Sequence, residues 1–118
     1  MKTVLAIDDD PDILDALELL LTTAGYQAQT TTKGEEICQK VHEHNPDLII
    51  LDVLLSGNDG RTICKTLKQH EDTKHIPVIM ISAHPSAQES TKNCGADSFV
   101  PKPFSMDHLL GEVAKYTS

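Results

Sequence analysis

Short apolar runs alternate five times with segments of helical periodicity along this chain, and this alternation limits the folds open to it. The runs that are apolar throughout are Thr3–Ile7, Leu48–Leu51 and Pro77–Ile81, and weaker runs cover Tyr26–Thr31 and Ser98–Val100. A strand without polar positions is buried on both faces, as in parallel sheets covered by helices. Parallel strands are connected by right-handed crossovers. The sequence therefore predicts a doubly wound α/β domain.

The segments between the runs carry helix start and stop signals. Asp10 and Pro11 are typical of an N-cap and a first helical residue, and Gly25 ends that helix. A second helix is predicted over Gly34–Glu43 and a third around Ile63–Leu67. The predicted apolar face of the second helix is Ile37, Cys38 and Val41. Ser105 can cap a last helix with five apolar positions: Met106, Leu109, Leu110, Val113 and Ala114.

The polarity of the runs predicts their order in the sheet. The first, third and fourth runs are the most apolar, so we expect them in the centre. The second run is polar on one side and the fifth is followed by Pro101, which suits sheet edges. The expected strand order is 2-1-3-4-5, that of the (βα)5 flavodoxin-like fold.

Length and charge restrict the function. The chain has 118 residues, so we expect one domain over 1–118. The net charge of −8 argues against direct nucleic-acid binding. Three separated cysteines and the lack of a long apolar run or signal peptide favour a cytoplasmic protein without disulfides or a membrane segment.

One predicted helix has little to bury. Between Pro85 and Gly95 the sequence contains no large apolar residue. We expect this fourth helix to be the least stable one, because it can remove little apolar surface from water. It either faces solvent or takes part in a conformational change.

Reactive side chains lie at the ends of the three central strands and of the fifth strand. Asp8 and Asp9 follow the first, Asp52 ends the third, Ser82 ends the fourth, and Lys102 follows the fifth strand. Each has a structural explanation by itself, but carboxylates that converge on one edge repel one another unless a cation offsets their charge. Mg²⁺ prefers such oxygen ligands, and lysine and serine can hold a phosphoryl group. This combination is what phosphoryl transfer to a carboxylate requires.

These motifs together resemble the receiver domains of two-component response regulators, the chemotaxis-regulator-like family, over essentially the whole chain. Four motifs carry the resemblance: Ile7-Asp8-Asp9, Asp52, Ser82-Ala83 and Lys102-Pro103-Phe104. The resemblance implies that Asp52 is the phosphoacceptor, and that Asp8, Asp9, Asp52 and the backbone carbonyl of Leu54 hold Mg²⁺.

The resemblance also implies a switch. Ser82 occupies the family's Ser/Thr switch position, Lys102 that of the invariant lysine, and Phe99 that of the aromatic switch residue. The Lys102-Pro103 peptide is expected to be cis.

The implied partners are a sensor histidine kinase or phosphotransfer protein as phosphoryl donor, and a downstream protein target. The target would read the face built by the fourth helix, fifth strand and fifth helix, and a homodimer could form through the same face. Such a protein is not an enzyme in the ordinary sense, since it catalyses only its own phosphorylation and slow dephosphorylation. Because the sequence stops after the predicted fifth helix, we expect either a stand-alone regulator or a receiver cut from a hybrid kinase or a longer regulator. The kinase, the stimulus and the output do not follow from the sequence.

Three other functions compete with this interpretation. Asp8-Asp9-Asp10 contains the Asp-x-Asp of haloacid-dehalogenase-type phosphatases, which would use Asp8, but Pro11 and Asp12 depart from that pattern. A nucleotide-binding module would need a glycine-rich phosphate loop, which is absent. A receiver used only for docking would not need the complete acidic set. The sequence departs from the receiver pattern at Ser56, where proline is usual, and at Phe99, where tyrosine is commoner.

Overall fold

The computed structural model describes residues 1–55, 57–84 and 92–117 and contains one parallel sheet of five strands. The strands are β1 (Thr3–Ile7), β2 (Gln27–Thr31), β3 (Leu48–Asp52), β4 (Val78–Ser82) and β5 (Ser98–Pro101). Their order is β2-β1-β3-β4-β5, and all four pairings are parallel. The predicted flavodoxin-like order is therefore confirmed.

Four α-helices lie within the described residues. They are α1 (Pro11–Thr23), α2 (Ile37–His44), α3 (Gly60–Gln69) and α4 (Met106–Thr117), the last being the predicted fifth helix of the chain. The side chain of Asp10 accepts a hydrogen bond from the Asp12 backbone, so the predicted N-cap is confirmed. Ser105 Oγ accepts a hydrogen bond from the His108 backbone N–H at 3.0 Å and caps α4 in the same manner.

The helices cover both faces of the sheet. Alternate strand residues such as Leu5, Ile49 and Met80 pack on one face with α2 and α3. Their neighbours, such as Ala6 and Ile50, pack on the other face with α1 and α4. Every residue of β3 and β4 is buried, which explains why both strands are apolar up to their last residue.

The structure differs from the sequence-based expectation in local details. The predicted second helix begins as a 3-10 turn (Gly34–Glu36), and the α-helix proper starts at Ile37. Cys38 is exposed, because the buried face of α2 consists of Ile37 and Val41. On α4, Met106 and Ala114 are exposed for the same reason: the helix buries Leu109 and Val113.

Residues 85–91, which hold most of the predicted fourth helix, lie outside the described residues. Among the helices that are described, none is both long and apolar enough to cross a membrane.

Candidate functional site

Parallel pairing brings the predicted site residues to one edge of the sheet. Ile7 pairs with Leu51, Asp52 with Ile81, and Ser82 with Pro101. Asp8, Asp52, Ser82 and Lys102 therefore all lie at the carboxyl ends of neighbouring strands, where ligands bind in open α/β sheets. We call Asp8, Asp9 and Asp52 together with Lys102 the acidic pocket.

The three carboxylates of the acidic pocket lie close together. Asp8, Asp9 and Asp52 each offer an oxygen atom, and these oxygens lie within 4.8 Å of one another. Asp8 is 0 % exposed and Asp52 5 % exposed, whereas Asp9 faces solvent. Two negative side chains thus share a space from which water is largely excluded.

Lys102 places its ammonium group against both buried acids. Its Nζ donates a hydrogen bond to Asp8 Oδ2 at 2.8 Å and lies 3.5 Å from Asp52 Oδ2. The Lys102–Pro103 peptide is cis, as expected. One ammonium group is therefore shared between two carboxylates.

The pKa of Asp52 lies above its ordinary value. Burial raises the pKa of the Asp52 carboxyl, and the charge of Asp8 raises it further. Lys102 and the Leu54 backbone hydrogen bond lower it, and the net result is a rise from 3.8 to about 6. Burial lowers the pKa of Lys102, but the hydrogen bond to Asp8 and the charges of Asp52 and Asp8 outweigh it and raise the pKa overall.

The charge excess fits a divalent cation. Oxygen atoms from two or three carboxylates, one of them solvent-exposed, are the ligands that Mg²⁺ takes while keeping several waters. A bound cation would also offset the repulsion that raises the pKa of Asp52. The donor set is therefore suited to Mg²⁺.

The loops around the pocket are fixed by local contacts. The Asp10 backbone N–H donates to Asp8 Oδ1 at 2.9 Å, which orients that carboxylate. After β3, the backbone of Val53 donates to Ile81 and accepts from Gly60. The short strands Leu54–Leu55 and Asn58–Asp59 then pair antiparallel, and Asp59 caps α3.

Gly60 is a residue that the sequence-based prediction missed. A methyl group at this position would collide with the backbone carbonyl of Asp52. Glycine is needed here because the start of α3 passes directly over the end of β3. In the sequence, Gly60 is the second glycine after Asp52. A glycine at that distance is equally typical of an ordinary turn, so the sequence alone does not indicate the close contact.

Ser82 and Phe99 occupy different surroundings. Ser82 is 1 % exposed at the end of β4, and its Oγ accepts a hydrogen bond from the His84 backbone at 3.0 Å. Phe99 is half-buried on β5, pairs with Met80 and packs against the core beside α2 and α3. Phe99 thus lies on a neighbouring strand and not in the acidic pocket, while Ser82 lies at its edge.

Comparison with known proteins points to one family. The family profile described as the response regulator receiver domain matches residues 4–114. Among curated proteins, the DNA-binding dual master transcriptional regulator RpaA of Synechocystis is 37% identical over 115 residues, which are 96% of this chain and 48% of RpaA. The chain spans about half the length of the curated relatives it matches.

Solved structures agree with that match. A putative response regulator from Chloroflexus aurantiacus has a TM-score of 0.93 and 37% identity, with 98% of this chain and 97% of the other covered. The response regulator protein TrrA from Thermotoga maritima, solved in complex with Mg(2+)-BeF, has a TM-score of 0.90 and 31% identity, with 98% and 99% covered.

Proposed function

This chain belongs to the response regulator receiver domain family of two-component signal transduction, and from that premise we propose that Asp52 accepts a phosphoryl group from a phosphohistidine. The observation that carries the proposal is the acidic pocket, where Asp52 lies with Asp8, Asp9 and Lys102 at the end of the sheet. We also propose that residues 1–118 form a single receiver domain.

Asp52 is suited to be the nucleophile. With a pKa of about 6 it is mostly ionised at neutral pH, and its burial keeps competing water away from the carboxylate. One Asp52 oxygen would form a bond to phosphorus while the bond between phosphorus and the donor imidazole nitrogen breaks. The imidazole leaves with its electron pair and takes a proton from solvent.

Lys102 and Ser82 are the proposed stabilising groups. The Lys102 ammonium, 3.5 Å from Asp52 Oδ2, can contact the phosphoryl oxygens as negative charge develops on them. The Ser82 hydroxyl, held at the end of β4, can donate to another phosphoryl oxygen. Positioned donors of this kind supply most of the catalysis in phosphoryl transfer.

The residues that would hold Mg²⁺ are Asp8, Asp9, Asp52 and the Leu54 backbone carbonyl. The ion supplies neutralisation of charge on the phosphoryl oxygens and of the repulsion among the acids. This proposal rests on the three clustered carboxylates and their excess of negative charge over Lys102.

We further propose that phosphorylation is read out through Ser82 and Phe99. Attraction of Ser82 to the phosphoryl group would displace the loop after β4 and let the half-buried Phe99 turn inward. Ser98 on β5 donates to Glu112, and Tyr116 donates to the Asp97 carbonyl, so β5 and α4 are mechanically linked. A downstream protein would read this face, which also offers a route to a homodimer; the fourth helix of the predicted face lies outside the described residues.

We propose that an apolar groove between α1 and α4 is the docking surface for the donor, a histidine kinase or phosphotransfer protein. The groove has a volume of about 540 Å³, and α1 and α4 line it together with Phe104. Leu19 and Met106 line it with 70% and 64% exposure. We expect Leu19→Glu to slow transfer from a phosphorylated kinase core without changing the reaction with acetyl phosphate.

Intact mass after incubation with Mg²⁺ and acetyl phosphate tests the function. A receiver gains one phosphoryl group, which is lost slowly and is labile at alkaline pH, and Asp52→Asn gains none. A phosphatase that uses Asp8 would instead hydrolyse many equivalents of acetyl phosphate, and a docking module would show no mass shift in the wild type. The family match does not favour either of these alternatives.

A further inference from the structure

A second group of potential metal ligands lies away from the acidic pocket. Cys38, His42, His70 and Asp72 line a small surface pocket of about 90 Å³ together with Leu67 and Thr73. Because α2 runs antiparallel to the strands, its last turn, which contains His42, lies toward the opposite edge of the sheet from Asp52. This group is therefore independent of the function proposed above.

Two of the four side chains are already aligned. His42 Nε2 lies 3.0 Å from Asp72 Oδ2, and His42 Nδ1 lies 2.7 Å from the Cys38 carbonyl oxygen. A carbonyl can only accept, so Nδ1 carries a proton and Nε2 is the nitrogen available to a metal. Histidine ligands in metal sites are commonly oriented by such a hydrogen bond from the other ring nitrogen.

The loop that carries Asp72 is held in place. Thr73 Oγ1 donates a 2.6 Å hydrogen bond to the Leu67 carbonyl, and the His70 carbonyl accepts from the backbones of Thr73 and Lys74. These bonds fix the backbone of the loop, from which the exposed Asp72 side chain reaches the exposed His42.

Cys38 and His70 complete the group. Cys38 precedes His42 by four residues and so lies on the same side of α2, and both Cys38 and His70 are exposed. Among the described residues, only Asp8, Asp9 and Asp52 already bring three ligand atoms together. Cys38 and His70 must therefore turn toward an ion, and their exposure leaves room for that rotation.

We propose that Cys38, His42, His70 and Asp72 form a Zn²⁺ site that links α2 to the loop after α3. A set of one thiolate, two imidazoles and one carboxylate suits the tetrahedral preference of zinc and not the octahedral oxygen preference of Mg²⁺. On binding, the Cys38 thiol releases a proton to solvent. The ion would replace the proton that His42 Nε2 shares with Asp72 Oδ2 when His42 is charged.

Zinc titration by calorimetry tests the proposal on the full chain. The titration is made in the wild type and in Asp52→Asn. Zinc that binds in the acidic pocket of the wild type should be lost in Asp52→Asn, and zinc at the proposed site should not. We expect one zinc equivalent to remain in Asp52→Asn, and His42→Ala or Asp72→Asn in that background to weaken it about 10- to 100-fold. His108→Ala, which alters an exposed histidine on α4, is the matched control and should leave the affinity unchanged.

Cobalt absorption tests the thiolate. Co²⁺ bound at this site should show a thiolate charge-transfer band that Cys38→Ser abolishes and His108→Ala retains. If Asp52→Asn binds no zinc saturably, or if His42→Ala and Asp72→Asn bind it as tightly as His108→Ala does, the proposal is wrong. Either result leaves the phosphorylation of Asp52 untouched, because that reaction is read by mass in the wild type.

Discussion

Two lysine–aspartate contacts of the same length serve different purposes in this molecule. Lys102 Nζ lies 2.8 Å from Asp8 Oδ2 in the acidic pocket, and Lys68 Nζ lies 2.8 Å from Asp97 Oδ2 beside the start of β4. Asp97 also accepts the backbone N–H of Val78, and Lys68 also donates to the carbonyl of Ile76. One acid and one cation are matched there, and their remaining contacts are with backbone.

In the acidic pocket the charges are not matched. Lys102 faces Asp8 and Asp52 at once, and Asp9 lies nearby. Burial raises the pKa of Asp52, and the nearby charge of Asp8 raises it further. The length of an ion pair therefore does not indicate its role, whereas the uncompensated charge around it does. The Lys68–Asp97 pair holds the sheet edge together, whereas we propose that the acidic pocket receives a cation and a phosphoryl group.

The largest expected difference concerns phosphorylation itself. Asp52→Asn removes the nucleophile and should abolish incorporation of phosphate from acetyl phosphate, as measured by intact mass. Asp97→Asn keeps the acidic pocket intact and should still gain one phosphoryl group. If Asp97→Asn is not phosphorylated although circular dichroism shows that it is folded, the proposed difference between the Lys68–Asp97 pair and the acidic pocket is wrong.

The second difference concerns the two lysines. Lys102→Met removes the cation that we propose contacts the phosphoryl oxygens, so we expect the phosphorylation rate to fall about 100-fold. Lys68→Met should leave that rate within about twofold of wild type while lowering the free energy of unfolding by about 1–3 kcal/mol, since the Asp97 carboxylate loses a charged hydrogen bond. Stopped-flow rates and urea unfolding of both variants measure the contrast. Equal phosphorylation rates in the two variants would remove Lys102 from the mechanism.

The third difference concerns Mg²⁺. Saturating Mg²⁺, at about 100 times its dissociation constant, should raise the free energy of unfolding of the wild type by about 2.7 kcal/mol. The gain should shrink in Asp52→Asn, which lacks a ligand, and should persist in Asp97→Asn. Urea unfolding with and without the ion gives these values, and a full gain in Asp52→Asn would place the ion elsewhere.

The smallest difference concerns pH in the absence of metal. The pKa of Asp52 in the folded chain lies above its ordinary value. Between pH 3.8 and about 6 the folded chain therefore binds more protons at Asp52 than the unfolded chain does, so the free energy of unfolding falls as pH rises. At pH 7 Asp52→Asn should therefore be more stable than wild type by about 1–3 kcal/mol. Asp97→Asn should be less stable at the same pH, by about 1 kcal/mol, because it weakens a matched pair. Unfolding in EDTA from pH 4 to 8 measures both, and a destabilised Asp52→Asn would contradict the charge imbalance.

The sheet could be predicted from the sequence because each central strand is buried on both faces. Full burial requires continuous apolar runs, and such runs are visible without a structure: β1 spans Thr3–Ile7 as predicted, and β3 continues the run Leu48–Leu51 to Asp52. Once the strands are parallel and ordered, the convergence of Asp8, Asp52 and Lys102 follows from geometry.

Other features depend on contacts that no local pattern encodes. The requirement for glycine at position 60 arises from the passage of α3 over the Asp52 carbonyl. The predicted apolar face of α2 is right for Ile37 and Val41, which are buried, and wrong for Cys38, which is exposed. The contact between His42 and Asp72 joins residues thirty positions apart, one in α2 and the other in the loop after α3.

Identification of the phosphorylated residue tests the central claim most directly. Borohydride reduces an aspartyl phosphate to homoserine, so treatment of the phosphorylated wild type followed by peptide mass mapping marks the acceptor. We expect homoserine at position 52 and unchanged aspartate at positions 8 and 9. Homoserine at position 8, or at any position other than 52, would contradict the central claim.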